Sequence, residues 1–339
     1  MRKNVPLVLS VLCLMAAGCA QENTINTGEK AQEYLELYIQ KYYPYVTPNE
    51  YGLFVLEDTP GSGPLWSSDN AYTYASTTIR SLGGTITSTT EKELAQQLGS
   101  FVQGNYYGPK FQLMGENASM AGVDRLFEGM RVGGKRKAII PAWLLTTSRF
   151  NTKKEYINAC TSDQNLEYTV SLEGQTNDVQ QTEKDSLANF VHRVFGPGVN
   201  PSAYKDNEAD GRFYFISDSS AFLNKTKFPP DTTIRINYTG RLLNGQVFDT
   251  TLEKVAKDEG IYNASKTYGP SNLTISTNYT EVKLNDSSVI DGFQNGIIKM
   301  RWLGQTAVVL FISDLGYTSS GSGQTIPPYS PLLFEIELL

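Results

Sequence analysis

An internal repeat constrains this chain more than any other feature. Shifting the sequence by 161 residues lays 78–109 over 239–270, and 11 of the 32 aligned positions then carry the same residue. Thr78, Arg80, Leu82 and Gly84 meet Thr239, Arg241, Leu243 and Gly245. Thr89, Thr90, Ala95 and Gly99 meet Thr250, Thr251, Ala256 and Gly260, and Tyr107-Gly108-Pro109 meets Tyr268-Gly269-Pro270. Farther on the offset drifts to 170, where Met130-Arg131 meets Met300-Arg301. Self-similarity at a domain-sized spacing means two copies of one unit, which suits a chain of 339 residues. The repeated unit is β-rich. "INYTGRLLNGQVFDTT" (236–251) alternates apolar and polar residues around Asn244-Gly245, the pattern of a hairpin. The segments around Ala95 and Ala256 then read as a short helix inserted after the hairpin in each copy.

Two longer helices flank the copies. Over 30–43, Ala31, Leu35, Tyr38, Ile39 and Tyr42 fall at helical spacing and Pro44 ends the run. Over 178–195, Leu187, Phe190, Val191 and Val194 form an apolar stripe; Asp178 with Gln181 resembles a capping box, and Gly196-Pro197-Gly198 stops the helix. These signals divide the chain into a leader (1–18), a tether with an N-terminal helix (19–49), a first copy (50–175), a helical linker (176–211) and a second copy (212–339).

The leader has the plan of an export signal. Arg2 and Lys3 precede an apolar run from Val5 to Ala17, and Ala16-Ala17-Gly18 ends at Cys19. This resembles a bacterial lipobox, and the resemblance implies that Cys19 becomes the lipidated N-terminus, so that the protein contacts a membrane through a lipid anchor. No later segment reaches the ~20 apolar residues of a spanning helix.

Composition narrows the chemistry. The net charge of −6 leaves no electrostatic footprint for nucleic acid. With Cys13 in the leader and Cys19 lipidated, Cys160 is the one cysteine left, so no internal disulfide is expected. The single histidine, His192, argues against a His-rich metal site and against a Ser-His-Asp triad. The residue set calls for no metal and no cofactor.

Within the second copy, "YTGRLLNGQVFDT", "VIDGFQNGI" and "SDLGYTSSGSGQTIPPYSPLLFEIELL" occur in that order. Together they resemble the FKBP-type peptidyl-prolyl cis-trans isomerases over most of 212–339. The resemblance implies an α+β fold: two FKBP-like domains, each a half-open antiparallel sheet wrapped around a short helix. It implies a pocket between helix and sheet, with Tyr238, Phe248, Asp249 and Tyr317 in catalytic roles. Val289, Ile290, Phe293, Ile326 and Phe334 would bind substrate. Tyr317 would hold the substrate carbonyl, and Asp249 would organise the pocket by accepting hydrogen bonds, from Tyr238 among others. The implied partners are proline-containing proteins or peptides. Macrolide binding is also implied, but Phe293 stands where the family most often has Trp, and the smaller floor counts against it. A tandem pair behind a lipobox is similar to Bacteroidetes envelope proteins, which places the expected anchor on the outer membrane, facing the periplasm or the exterior.

The first copy departs at the pocket. Thr77 aligns with Tyr238, Thr87 with Phe248, Ser88 with Asp249, Val123 with Phe293 and Ser119-Met120 with Val289-Ile290, while Thr146 falls near Tyr317. It reads as an FKBP-like framework without pocket chemistry, suited to client binding, spacing or docking. Two function classes stay open at this level: an envelope prolyl isomerase assisting folding, and a chaperone-like or assembly lipoprotein that binds proline-containing segments without useful turnover.

Overall fold

The computed structural model describes residues 25–204, 209–217, 228–278 and 280–339. The leader and Cys19 lie outside the described residues. Helix α1 (Thr27–Tyr42) starts at a reciprocal cap, with the Glu29 N–H donating to the Asn26 side chain and the Asn26 N–H donating to the Glu29 carboxylate. The helix therefore begins three residues before its expected start at residue 30. Ala31, Leu35 and Ile39 are buried, the latter two against Phe54 and Ile139, whereas Tyr42 is exposed. The stripe is narrower than its periodicity.

The first sheet contains β1 (Phe54–Thr59), β2 (Tyr72–Ser81), β3 (Ile86–Thr89), β4 (Lys110–Leu113), β5 (Lys135–Ile140) and β6 (Leu166–Thr176). Helix α2 (Lys92–Gln97) follows β3, α3 (Ala121–Phe127) precedes β5, and α4 (Lys153–Ala159) precedes β6. After α5 (Val179–Phe195) comes the second sheet: β7 (Phe213–Ile216), β8 (Thr233–Leu242), β9 (Val247–Thr250), β10 (Ser271–Ile275), β11 (Val282–Leu284), β12 (Ser287–Ser288), β13 (Thr306–Phe311) and β14 (Leu332–Leu338). Helix α6 (Glu253–Asp258) follows β9 and α7 (Asp291–Lys299) precedes β13.

The two sheets have one strand order. The first runs β1-β5-β6-β2, the second β7-β13-β14-β8, and all pairs are antiparallel. In each, one edge of the long strand is shared by two short strands, β3 and β4 on β2, β9 and β10 on β8. The second sheet adds β11 and β12 beyond β10. The repeated residues make repeated bonds. The Thr78 and Thr89 hydroxyls pair at 2.8 Å, as Thr239 and Thr250 do at 2.9 Å. Val102 N–H donates to the Tyr107 hydroxyl at 3.0 Å, and Asn263 N–H to Tyr268 likewise at 3.0 Å.

Helix α7 lies close on the second sheet because Gly292 and Gly296 leave its inner stripe flat. A Cβ at Gly292 would stand 2.3 Å from the Phe311 ring, and one at Gly296 2.5 Å from Val309, so a larger residue at either would push the helix off the sheet. The helix expected as a linker, α5, is part of the second unit's packing. Its Leu187 and Val191 are fully buried against Tyr214, Leu310, Ile312 and Leu333, worth about 1.5–3 kcal/mol each. Val194, predicted in the same stripe, is 52% exposed, since it falls in the last turn of the helix and outside that cluster. The same helix buries Glu183, whose carboxylate accepts the Ser313 N–H and hydroxyl, both at 2.6 Å. Burial pushes that carboxyl's pKa up. Among the described residues no helix is long and apolar enough to cross a membrane.

Candidate active site

Phe248 and Asp249 are adjacent in β9, and a regular strand would point them to opposite faces. The ladder explains why both reach one cavity. Gly240 pairs with Asp249 but Arg241 pairs with Val247, so Phe248 is the extra residue of a β-bulge. Gly240 itself makes room: a Cβ there would lie 2.6 Å from the Phe248 ring and 3.0 Å from Phe334. The hairpin sequence thus encodes a bulge, an aromatic ring folded over a glycine, and a carboxylate beside it.

The cavity measures about 600 Å³. All nine residues singled out from the sequence line it: Tyr238, Phe248, Asp249, Val289, Ile290, Phe293, Tyr317, Ile326 and Phe334. Phe293, in the first turn of α7, and Phe334, on β14, are buried; their rings meet edge to face at 5.0 Å. Tyr238 crosses Phe293 at 5.7 Å, and Phe248 crosses Phe334 at 5.5 Å. Phe334 in turn stacks on Phe311 beneath, at 5.8 Å and 11°. Such pairs add about 0.5–1.5 kcal/mol each beyond burial and fix the walls. Ile290 caps α7, so Val289 and Ile290 form the lip where the chain enters the helix.

The polar edge is organised around Asp249. Tyr238 hydroxyl donates to its Oδ2 at 2.6 Å, the Thr250 N–H donates to Oδ1 at 2.9 Å, and the Lys266 ammonium closes on Oδ1 as well. Lys266 also donates to Thr250 O at 2.9 Å. Burial, then the Asp249 charge and hydrogen bond, hold the Tyr238 pKa far above its ordinary 10.0. Burial and the same carboxylate raise Tyr317. Both hydroxyls are therefore donors at neutral pH. Tyr238 is committed to Asp249, whereas the half-buried Tyr317 hydroxyl donates to no group among the described residues.

The sequence did not point to Lys266, Leu284, Ser288 or Thr325. Leu284 and Ser288 belong to the added β11–β12 ribbon and Thr325 to the turn before Ile326; all three line the cavity. Lys266 lies 17 residues beyond Asp249. Of the described residues of 252–279, it alone reaches the site's polar edge, and none lines the cavity. Its repeat counterpart is Asn105, and that of Asp249 is Ser88, so the ion pair exists in one copy only. The first copy keeps the bulge at Thr87. There Ile79 replaces Gly240 and packs against the first core, so a ring folded over this position as Phe248 is over Gly240 would meet a side chain.

Residues 224–339 match the family of FKBP-type peptidyl-prolyl cis-trans isomerases. The chain is 31% identical to FK506-binding protein 1 of Dictyostelium discoideum over 116 residues, which are 34% of this chain and 87% of that protein. It is 32% identical over 117 residues to a peptidyl-prolyl cis-trans isomerase of Schizosaccharomyces pombe, covering 34% of this chain and 84% of the relative. A third relative, an FK506-binding protein of Neisseria meningitidis serogroup B, is 32% identical over 106 residues, 31% of this chain and 76% of its own length. The chain belongs to the FKBP-type peptidyl-prolyl cis-trans isomerase family, and is an enzyme of that class.

Proposed function

We propose that the second unit isomerises X-Pro bonds of client proteins at a bacterial cell envelope, held there by lipid on Cys19. The observation that carries the reaction is the cavity of about 600 Å³ that gathers four aromatic walls, one unspent hydroxyl and a carboxylate held by three donors. The X-Pro bond rotates over a barrier of roughly 18–20 kcal/mol set by amide resonance. At the twisted transition state that resonance is lost and the amide is less dipolar. Walls from Phe248, Phe293, Phe334 and Ile326 favour it over the planar, better hydrated ground state, which is differential binding. Tyr317 hydroxyl donates to the substrate carbonyl and fixes one end of the rotating bond. Asp249 accepts from Tyr238, Thr250 and Lys266, and its role is to hold Tyr238 and the bulge in place.

The first copy, in this reading, is a diverged FKBP-like unit that does not catalyse, because Thr87, Ser88, Val123 and Ile79 leave neither aromatic walls nor a carboxylate edge. Relatives are named for binding FK506; such a ligand would occupy this same cavity over Phe293. The test is turnover of a proline tetrapeptide by the full chain. Phe293→Ala and Asp249→Ala each lower kcat/KM strongly, with no residual activity from the first copy. Wild-type turnover in both variants would place the activity elsewhere.

A further inference from the structure

The turn that carries Ile326 is held from outside its own unit. Ser322 N–H donates to Ile326 O at 2.8 Å and Ile326 N–H to Ser322 O at 3.1 Å, closing a short turn. Ser322, Gly323, Thr325 and Ile326 of this turn line the cavity. Gly321 and Gly323 sit at positive φ, +60° and +55°, and glycine segments are costly to keep ordered. The carbonyl at the tip, Gln324 O, accepts the N–H of Tyr106 at 2.8 Å. Tyr106 belongs to the first copy, between α2 and β4, yet its ring packs against the second unit's core. On the other flank, Tyr329 of the same loop meets two first-copy rings edge-on, Tyr72 at 5.2 Å and Phe111 at 6.3 Å. Tyr329 holds a φ of +56°, a conformation that persists in non-glycine residues when the surroundings enforce it. The contact continues below, where Gln246 Nε2 donates to Gly104 O at 2.8 Å and Gln103 Nε2 to Glu259 O at 2.8 Å.

The repeat sharpens the picture. The second-copy counterpart of Tyr106 is Thr267, next to Lys266. Equivalent loops of the two copies thus converge on one pocket, Lys266 reaching Asp249 from within and Tyr106 reaching Gln324 from the neighbour.

We propose that the first copy is a positioning element of the second copy's active site: Tyr106 and Tyr72 hold the 322–326 turn in the shape that presents Thr325 and Ile326 to substrate. The proposal rests on the isomerase reading, and it gives the silent copy a task. A turn ordered before binding spares the substrate the entropy of ordering it. Tyr106 acts through the turn and touches no reacting atom.

The experiment uses the full chain and two readouts, hydrogen exchange at the Ser322 and Ile326 amides and the steady-state constants on a proline tetrapeptide. Tyr106→Ala raises exchange at both amides and raises KM about 3- to 10-fold with kcat nearly unchanged. The backbone N–H to Gln324 O survives in every variant, so the ring packed on the second core is what is tested. Tyr72→Ala does the same more weakly, and Tyr106→Phe restores wild-type exchange and KM because the ring remains, giving up only the hydroxyl bond to Pro109 O within the first copy. Trp66→Phe, which loses a buried bond to Thr73 in the first core, lowers thermal stability and leaves both readouts alone. Wild-type exchange and KM in Tyr106→Ala would overturn the proposal, as would an equal loss in Trp66→Phe. An inactive wild-type chain would sink the isomerase reading; the exchange data would then decide the clamp by themselves.

Discussion

Replacing Tyr317 by Phe removes one hydroxyl and nothing else. In the free protein that hydroxyl has no partner among the described residues, so folding loses no hydrogen bond and stability stays within about 0.5 kcal/mol of wild type. In the substrate complex the bond to the substrate carbonyl is lost, a neutral pair worth about 0.5–1.5 kcal/mol. That predicts a fall in kcat/KM of roughly 2- to 13-fold. Tyr238→Phe is the contrast. Its hydroxyl donates to a carboxylate at 2.6 Å, a bond to a charged group worth about 1.5–3 kcal/mol. Asp249 is 40% exposed in its side chain, so the low end applies and the loss appears as a lower midpoint in urea. The two variants, assayed for turnover by magnetisation exchange on a proline peptide and for stability by urea titration, therefore separate. Tyr317→Phe with unchanged turnover, or Tyr317→Phe as destabilised as Tyr238→Phe, would refute the division of labour between the two hydroxyls.

Turnover is nearly flat between about pH 6 and 8, because no group moves a proton; a bell-shaped profile over that range would require acid–base chemistry. The Tyr238 and Tyr317 pKa values are raised above the unfolded value, so the stability they contribute is complete below about pH 10 and is lost as pH rises through the higher folded values; calorimetry across the alkaline range reads this directly. Lys266→Met lowers kcat/KM by no more than about fivefold, since a pair with both partners over a third exposed is worth about 0.2–1 kcal/mol, and 1 M salt shrinks the difference; an unchanged salt dependence would contradict an electrostatic role. Cys19→Ser shifts the protein from membrane to soluble fractions or stalls its processing, and unaltered membrane fractionation would refute the anchor.

The cavity residues were legible through the resemblance to the family, because all nine sit in or beside short ordered motifs that carry it: a hairpin, a helix entry, a turn and a final strand. Phe248 and Asp249 could be read as facing one place, while the bulge that achieves it became visible only in the ladder. Lys266 was not legible, because its pairing depends on the path of an insertion with no periodic signal. The stripe of α5 was readable from Leu187 and Val191, but not the sheet face it would cover, so the helix looked like a linker. Glu183 stands on a polar-looking face of the sequence; burial of its carboxylate follows from a partner 130 residues away. The Tyr106–Gln324 bond is equally silent, since a backbone donor and a backbone carbonyl carry no sequence identity at all.

The strand order sets a timetable. In both sheets a strand late in the chain lies in the interior: β6 between β5 and β2, β14 between β13 and β8. Neither sheet can join its halves until that strand has arrived, and such long-range closure is slow. Synthesis delivers β6 at Leu166–Thr176 and β14 only at Leu332–Leu338. The first copy therefore reaches its native form while β8 still shows an open edge, the condition in which strands pair wrongly. The earlier copy is then a finished surface on which Tyr106 and Tyr72 meet the later one as it closes. Pulse-labelled hydrogen exchange would show β2 and β6 protected before β8 and β14; the reverse order would rule this timetable out.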